Sequence, residues 1–209
     1  MFTVKRSANR WCVATIETAR LLLRPWRDSD VEPWVQMNAD PRVAEFFPRI
    51  YTRELSESTA QRLRADLDSR GYGWWVVEVR DGAAFAGVVA LQEVPFPSHF
   101  TPAREIGWRF VPERWGHGYA TEAARAALGF AFNRLGWKEV VALTAVSNIR
   151  SQRVMERLGM TRDAGGDFDH PRIEEGHPLR HHVLYRIVAP EATSRGANPK
   201  ADHSDRSST

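Results

Sequence analysis

The spacing of apolar residues along the chain predicts a domain that mixes helices and strands. Apolar residues recur every three or four positions in four segments, which is typical of helices with one buried face. Six other segments are short and rich in aromatic and β-branched residues, as strands are. The predicted helices cover residues 31–38, 52–69, 119–135 and 148–158, and the predicted strands cover 20–26, 74–79, 84–94, 105–111, 140–146 and 182–188.

The order of these elements predicts a mixed sheet of the α/β or α+β class. Asp81 and Gly82 separate the second and third strands, and such a pair favours a tight antiparallel hairpin. The strand at 105–111, the following helix and the strand at 140–146 are compatible with a parallel pair crossed by a helix. Residues 1–16 are expected to be a flexible leader, 17–190 the folded domain and 191–209 a disordered tail without large apolar residues.

Composition and charge narrow the classes of function. The 209 residues are 43% hydrophobic, which suits one soluble domain. The net charge is +3 with scattered basic residues, so we expect no nucleic-acid partner. Cys12 is the single cysteine, which excludes an intrachain disulfide and a cysteine-based metal site. The chain shows no signal-peptide core and no stretch of ~20 apolar residues that could span a bilayer, so we expect a cytoplasmic protein.

The most informative stretch is a glycine-containing turn between a strand and a helix. Residues 115–120 read WGHGYA, just after the strand at 105–111. Free N–H groups at a helix N-terminus bind anions, and glycine lets a ligand approach the backbone. No Walker lysine follows, and Thr121 stands where a dinucleotide fingerprint has its third glycine. From spacing alone, a phosphate site and a tight turn without a ligand both remain open.

Three segments together resemble the GCN5-related N-acetyltransferase (GNAT) superfamily. Residues 115–123, WGHGYATEA, are similar to its acyl-CoA loop: Gly118 and Ala120 fill the last two fixed positions, and Trp115 replaces the usual Gln or Arg. The pattern N-x-x-S-x-x-V-x-E-x-x-G-M at 148–160 resembles the motif after its fifth strand, and TARLLLRPW at 18–26 resembles the start of its domain. The resemblance covers about residues 17–188 and points to the branch of ribosomal-protein-alanine N-acetyltransferases of the RimJ/RimL type.

The resemblance implies a GNAT-like, mostly antiparallel sheet flanked by helices, with a parallel central strand pair that splays apart. Acetyl-CoA would be the co-substrate, with its pantetheine arm in the gap and its pyrophosphate on the loop amides. A backbone N–H of the fourth strand would polarise the thioester carbonyl. The residues implied in acetyl-CoA binding are Phe110, Val111, Trp115, Gly116, His117, Gly118, Tyr119, Ala120, Thr121 and Asn148.

The implied reaction is direct attack of a neutral primary amine on the thioester, which a general base assists. Glu105 is the candidate base and Glu93 is the alternative. The competing interpretation is that Glu105 is only an exposed carboxylate at the end of a strand. Many family members use a tyrosine to assist the leaving thiolate, but Met155 occupies that position. The RimJ/RimL-type branch uses a serine instead, and Ser151 matches it, although Ser151 and Asn148 are also suited to capping a helix.

The sequence thus predicts an acetyl-CoA-dependent N-acetyltransferase that acts on a protein N-terminus or a small-molecule amine. The alternatives are a non-catalytic acyl-CoA-binding or regulatory module and a nucleotide-phosphate binder. The histidines of the 170–182 loop lack the spacing of metal ligands, so we expect no metal and a loop on the acceptor pocket or the surface. The expected partners are acetyl-CoA and an amine, a homodimer is compatible with the family, and no membrane partner is expected.

Overall fold

A computed structural model describes residues 3–5 and 13–190 of the chain. Ten strands and five α-helices lie within those residues. The strands are β1 (Thr3–Lys5), β2 (Thr15–Glu17), β3 (Leu21–Arg24), β4 (Trp74–Val79), β5 (Gly87–Glu93), β6 (Arg104–Phe110), β7 (Glu139–Ala145), β8 (Thr161–Arg162), β9 (Phe168–Asp169) and β10 (His181–Val188). The helices are α1 (Val31–Ala39), α2 (Pro41–Ala44), α3 (Arg53–Arg70), α4 (Tyr119–Asn133) and α5 (Ile149–Leu158).

The strands form one sheet in the order β1-β2-β3-β4-β5-β6-β7-β10-β8, with β9 also paired to β10. The pair β6–β7 is parallel and its register joins Glu105 to Val141. The other recorded pairs, including the β4–β5 hairpin, are antiparallel. The predicted fold class, a mostly antiparallel sheet with one parallel central pair, is therefore confirmed.

The structure extends the sheet beyond the strands that periodicity marks. β1 lies inside the segment 1–16 that was expected to be a leader, and it pairs with β2, which ends at Glu17. Residues 1–2 and 6–12 lie outside the described residues. The predicted tail at 191–209 also lies outside them. The strands β8 and β9 have only two residues each, which is too short for an alternating pattern to reveal them.

Helices cover both faces of the sheet. Trp75 of β4 packs edge-on against Phe130 of α4, with ring centroids 5.6 Å apart. Arg109 of β6 points to the opposite face, where its guanidinium lies 5.3 Å from the Trp34 ring of α1. α1 in turn packs against α3 through the Trp34 indole, which donates a hydrogen bond to the Ser56 carbonyl. The central strands are thus buried between two helical layers.

A buried ion pair fixes α1 to the sheet. Arg24, at the end of β3, donates hydrogen bonds to both carboxylate oxygens of Asp30, at 2.7 and 2.9 Å, and to Glu78 of β4 at 2.5 Å. The side chains of Arg24 and Asp30 are only 4% and 2% exposed. A charge buried to this degree is tolerated because every partner is present.

We expect Arg24→Met to destabilise the fold by about 3–5 kcal/mol, because the substitution leaves Asp30 charged and buried without its counter-ion. Chemical denaturation monitored by circular dichroism measures the loss. Arg53→Met is the matched control, since Arg53 pairs with Glu32 in a bridge whose partners are about half exposed, and solvent-exposed bridges contribute little to stability. Equal losses in the two variants would contradict the role given to the buried pair.

Candidate active site

A cavity opens where the two parallel strands separate. β6 and β7 pair at Glu105 and Val141, and no further register pair joins them in the described residues. Beyond that point lies a cavity of about 560 Å³ between β6, the turn before α4 and the start of α5. Nine of the sequence-predicted site residues line it: Phe110, Trp115, Gly116, Gly118, Tyr119, Ala120, Thr121, Asn148 and Ser151.

The turn before α4 presents free backbone donors to this cavity. Gly116 and Gly118 have φ values of +77° and +78°, a conformation that glycine adopts without strain. Gly118 is the N-cap of α4, and the first helical hydrogen bond runs from Glu122 N–H to its carbonyl at 3.0 Å. The N–H groups of the three residues between them therefore have no helical partner. Together with the helix dipole they form an anion site.

Glu122 anchors this turn to the start of the domain. Its carboxylate accepts hydrogen bonds from the Thr18 hydroxyl at 2.6 Å and from Arg20 Nε at 2.7 Å. The Arg20 guanidinium also donates to the His117 carbonyl at 3.1 Å. Burial opposes the negative charge, but these hydrogen bonds prevail and hold the pKa of Glu122 below its usual value. Sequence reasoning missed Glu122, since its partners lie about a hundred residues away in the chain.

The backbone of β6 turns Phe110 to the gap but turns Val111 away from it, toward β5. Val111 N–H donates to the Ala86 carbonyl at 3.0 Å, on the side of β5. The Arg109 carbonyl faces Gly87 on that same side. Because successive residues of a strand alternate, the N–H groups of Trp108 and Phe110 face the gap. The pairing expected for Val111 is thus available instead to Trp108, and Val111 borders a separate depression.

His117 points away from the cavity. Its ring is exposed, lies 2.8 Å from the Trp115 carbonyl through Nδ1, and stacks on Tyr119 with centroids 5.4 Å apart. The imidazole is not among the groups that line the cavity. Its expected part as a phosphate donor therefore stays a prediction.

The start of α5 separates the two roles suggested for Asn148 and Ser151. Asn148 is the N-cap: its Oδ1 accepts from Ser151 N–H at 3.1 Å, and its Nδ2 donates to Thr144 Oγ1 at 3.0 Å. Ser151 thus gives its backbone, and not its hydroxyl, to the cap. Within the described residues the Ser151 hydroxyl has no hydrogen-bond partner, and Ser151 is one of the residues that line the cavity.

Arginine side chains give the cavity wall a positive charge that the sequence analysis did not single out. The guanidinium of Arg150 lies 4.8 Å from the Trp115 ring. Positive charge beside free helix amides suits a ligand that carries several phosphates. The arginines of the outer wall are Arg42, Arg114, Arg150, Arg153 and Arg157.

Glu105 lies at the closed end of the gap, where β6 and β7 still pair, and is not part of the cavity wall. Its half-buried carboxylate accepts a hydrogen bond from Gln92 Nε2 at 2.9 Å, and Gln92 Oε1 accepts from the Trp74 indole at 2.8 Å. Burial raises the pKa of Glu105 to about 7, and the Gln92 bond offsets only part of that rise. Glu93, the alternative base, is exposed and faces the other side of the sheet.

The His-rich loop packs beside this end of the gap. His170 lies 4.5 Å from Phe96 and 5.0 Å from His182, measured between ring centroids. Burial, His182 and Arg172 lower the pKa of His170 to about 4, so the ring is neutral at pH 7. Phe96 belongs to a small apolar cluster that includes Val141, the partner of Glu105. Among residues 13–190 no group of three or more side chains is placed to hold a metal ion.

Comparison with known proteins decides the family. A sequence model of the acetyltransferase (GNAT) domain matches residues 20–161. The chain belongs to the GNAT acetyltransferases. It is 34% identical over 188 residues to the FsC-acetyl coenzyme A-N(2)-transacetylase of Aspergillus fumigatus, covering 85% of this chain and 77% of that protein. It is 30% identical over 177 residues to the uncharacterized N-acetyltransferase YnaD of Bacillus subtilis, covering 84% and 98%.

Solved structures share this GNAT fold. A GNAT-family acetyltransferase from Bacillus anthracis superposes with a TM-score of 0.69 and 27% identity, covering 83% of this chain and 98% of that one. Mycobacterium smegmatis RimJ, solved with CoA-disulfide, superposes with a TM-score of 0.65 and 23% identity over 81% and 82% of the two chains. The resemblance to the RimJ/RimL-type branch is thus confirmed at the level of fold.

The GNAT assignment makes the protein an acyltransferase of a family that carries out acetyl-CoA-dependent N-acetylation. The geometry of the described residues fits acetyl-CoA, since free helix amides, arginines and a gap between strands lie along one cavity. No helix in the described part of the chain is long and apolar enough to cross a membrane.

We expect Gly118→Trp to weaken acetyl-CoA binding at least ~10-fold, because a side chain there occupies the space before the free amides. Isothermal titration calorimetry measures the affinity. Gly136→Trp is the matched control: Gly136 is also exposed, has φ +67° and has open space around its Cα, but does not line the cavity. Both variants carry the strain of a left-handed residue, so equal affinities would contradict the assigned loop.

Proposed function

We propose that the protein acetylates a primary amine by direct attack of the amine on the thioester of acetyl-CoA. Glu105 is the general base, and the Ser151 hydroxyl assists the leaving thiolate. The observation that carries the proposal is the position of Glu105, a half-buried carboxylate at the last pairing of β6 with β7, where burial raises its pKa to about 7. A base is most useful when its pKa lies near the working pH.

The chemical step needs one proton acceptor and one donor of hydrogen bonds to sulfur. The amine nitrogen forms a bond to the thioester carbon and loses a proton to Glu105. The carbon–sulfur bond then breaks, and the thiolate accepts a hydrogen bond from Ser151 before it takes its proton from water. The N–H groups of Trp108 and Phe110 face the gap and are placed to polarise the carbonyl oxygen, which typically contributes ~10²–10³ in rate.

The acceptor is an amine that reaches Glu105 from the face shared with α1. An α-amino group, with a pKa of roughly 7.7–8.0, loses its proton far more readily than a lysine near 10.4. Glu105 at about 7 matches the α-amino group. The name of the Aspergillus fumigatus relative, an acetyl coenzyme A-N(2)-transacetylase, also specifies acetyl transfer to a nitrogen atom. These points support an α-amine on a peptide or small molecule as the acceptor.

Release of free thiol from acetyl-CoA, measured with a panel of amines, tests the proposal. We expect α-amines to accelerate release. A protein that binds acetyl-CoA tightly while no amine increases thiol release would be the non-catalytic module, and the proposed function would fail.

We expect kcat/KM of the wild type to fall as pH decreases through about 7, because Glu105 acts as a base only when ionised. In Glu105→Gln the fall in kcat/KM near pH 7 should vanish. The separate fall that arises from protonation of the amine substrate should remain near the pKa of that amine. A pH–rate profile of both proteins measures this. An unchanged acid limb in Glu105→Gln would assign the base to another group.

The same substitution should act on stability in the opposite direction. A raised pKa means that the folded protein binds the proton more tightly than the unfolded chain, so Glu105 stabilises the fold least above pH 7. Glu105→Gln should therefore keep or raise the Tm at pH 8 while activity falls. A variant that loses both would indicate damaged folding instead of a lost base.

We expect Ser151→Ala to lower kcat by ~10-fold or more while the Kd for acetyl-CoA changes less than about 3-fold, because the hydroxyl is not used in the helix cap and assists the leaving sulfur. Thr144→Val is the matched control, since it removes a hydroxyl that supports Asn148 and not the sulfur. Equal loss of binding and turnover in Ser151→Ala would give Ser151 a structural role only.

A further inference from the structure

The acceptor side of the site contains a half-buried arginine whose charge is not neutralised. Arg109 points from β6 to the same face as Glu105, and its guanidinium stacks on Phe47 with 3.8 Å between Cζ and the ring centroid. Trp34 and Tyr51 complete an aromatic enclosure at 5.3 and 5.4 Å. Arg109 lines the cavity. In the described residues no carboxylate lies within ion-pair distance of it.

The neutral partners of Arg109 leave hydrogen-bonding capacity unused. One Nη donates to the Asn38 side-chain oxygen, and Asn38 is held in place by Ser56. Tyr51 contributes the face of its ring, 5.4 Å from Arg109 Cζ. The Nε hydrogen is buried and has no partner among the residues that the structure describes. Arg24, by contrast, is paired with Asp30, and a polar atom that is buried without a partner, as this Nε is, is costly.

The strand geometry relates this arginine to the proposed base. Glu105 and Arg109 lie four residues apart on one strand, so their Cα atoms are roughly 13 Å apart on the same face. Gly107 stands between them on that face, and a Cβ added there would meet no atom within 4 Å. This face of β6 therefore presents the Glu105 carboxylate, an unobstructed surface at Gly107 and the Arg109 guanidinium, in that order. The arrangement matches a short molecule with an amine at one end and an anion at the other.

We infer that Arg109 determines acceptor specificity by binding a carboxylate carried by the amine substrate. The inference rests on the proposed function and deepens it. A carboxylate is favoured over a phosphate because one cation in an aromatic enclosure neutralises a single charge and a planar group fits the guanidinium fork. The acceptor class is thus an amino acid or short peptide with a free carboxylate, bound with its α-amine toward Glu105.

Triglycine and triglycinamide are the probes, because they share the α-amine and differ only in the carboxylate. In the wild type we expect kcat/KM for triglycine to exceed that for triglycinamide by about 10- to 100-fold. Arg109→Gln should remove this preference by raising KM for triglycine, with little change for triglycinamide. Arg109→Lys, which keeps the charge but loses the fork, should restore part of it.

Arg53→Gln is the matched control for a lost arginine. Arg53 is not part of the cavity wall and pairs with Glu32 and Glu57, so its loss should leave the triglycine preference in place. The inference would be overturned if the wild type had equal kcat/KM for triglycine and triglycinamide. It would also be overturned if Arg109→Gln lowered kcat/KM equally for both. A greater preference for O-phosphoethanolamine over triglycine would overturn it as well, since the anion would then be a phosphate.

Binding measurements separate this inference from the proposed function. Isothermal titration with triglycine, in the presence of CoA, reports the carboxylate contact without any turnover. Arg109-dependent binding together with absent thiol release would sustain the carboxylate site and defeat the proposed chemistry. Suppose instead that amines increase thiol release, but the affinity for the probe depends neither on its carboxylate nor on Arg109. This inference would then fail while the proposed function stood. Thermal unfolding of each variant verifies that the fold is retained.

Discussion

The structure depends on one interruption of backbone pairing. β6 and β7 are neighbours in the sheet, yet they pair at Glu105 and Val141 and then diverge. Backbone N–H and C=O groups need partners when they are withdrawn from water. An extended ligand with its own amides supplies them as a strand would. α4 begins just after β6 ends, so its free amides lie at the open end of the same gap. In the proposed binding mode, the divergence therefore sets both the position of the thioester and that of the phosphates.

Two charged groups on one strand face contrast with the rest of the interior. Arg24 is buried but fully paired with Asp30 and Glu78, which is what a stable core requires. Glu105 has only the neutral Gln92 amide, and Arg109 has only neutral and aromatic neighbours. Burial accordingly raises the pKa of the first and lowers that of the second. Ionisable groups kept at such a cost are found where ligands bind and reactions occur.

The features that could be read from the sequence are those encoded locally. The strand, glycine turn and α4 lie within some thirty residues, and the capping of α5 by Asn148 lies within one helical turn. The clamp between Glu122 and Arg20 could not be read, because it joins residues far apart in the chain. Nor could the direction of Val111, since which side a strand residue faces depends on its pairing partner. The enclosure of Arg109 needs α1 and the segment after α2, whose apolar residues resemble any core.

The gap between β6 and β7 also ties the survival of the fold to its ligand supply. In the proposed binding mode an acyl-CoA acts as the missing strand, and any ligand that binds the native state alone stabilises it by RT ln(1 + [L]/Kd). Each catalytic cycle fills and empties the gap. The protein molecules are therefore divided between a ligand-bound state, in which the strand edges are paired, and a ligand-free state, in which the facing edges of β6 and β7 are unpaired. Proteases that cut transiently opened chains would remove the second kind first. When acyl-CoA is scarce, the enzyme should thus be depleted along with its substrate.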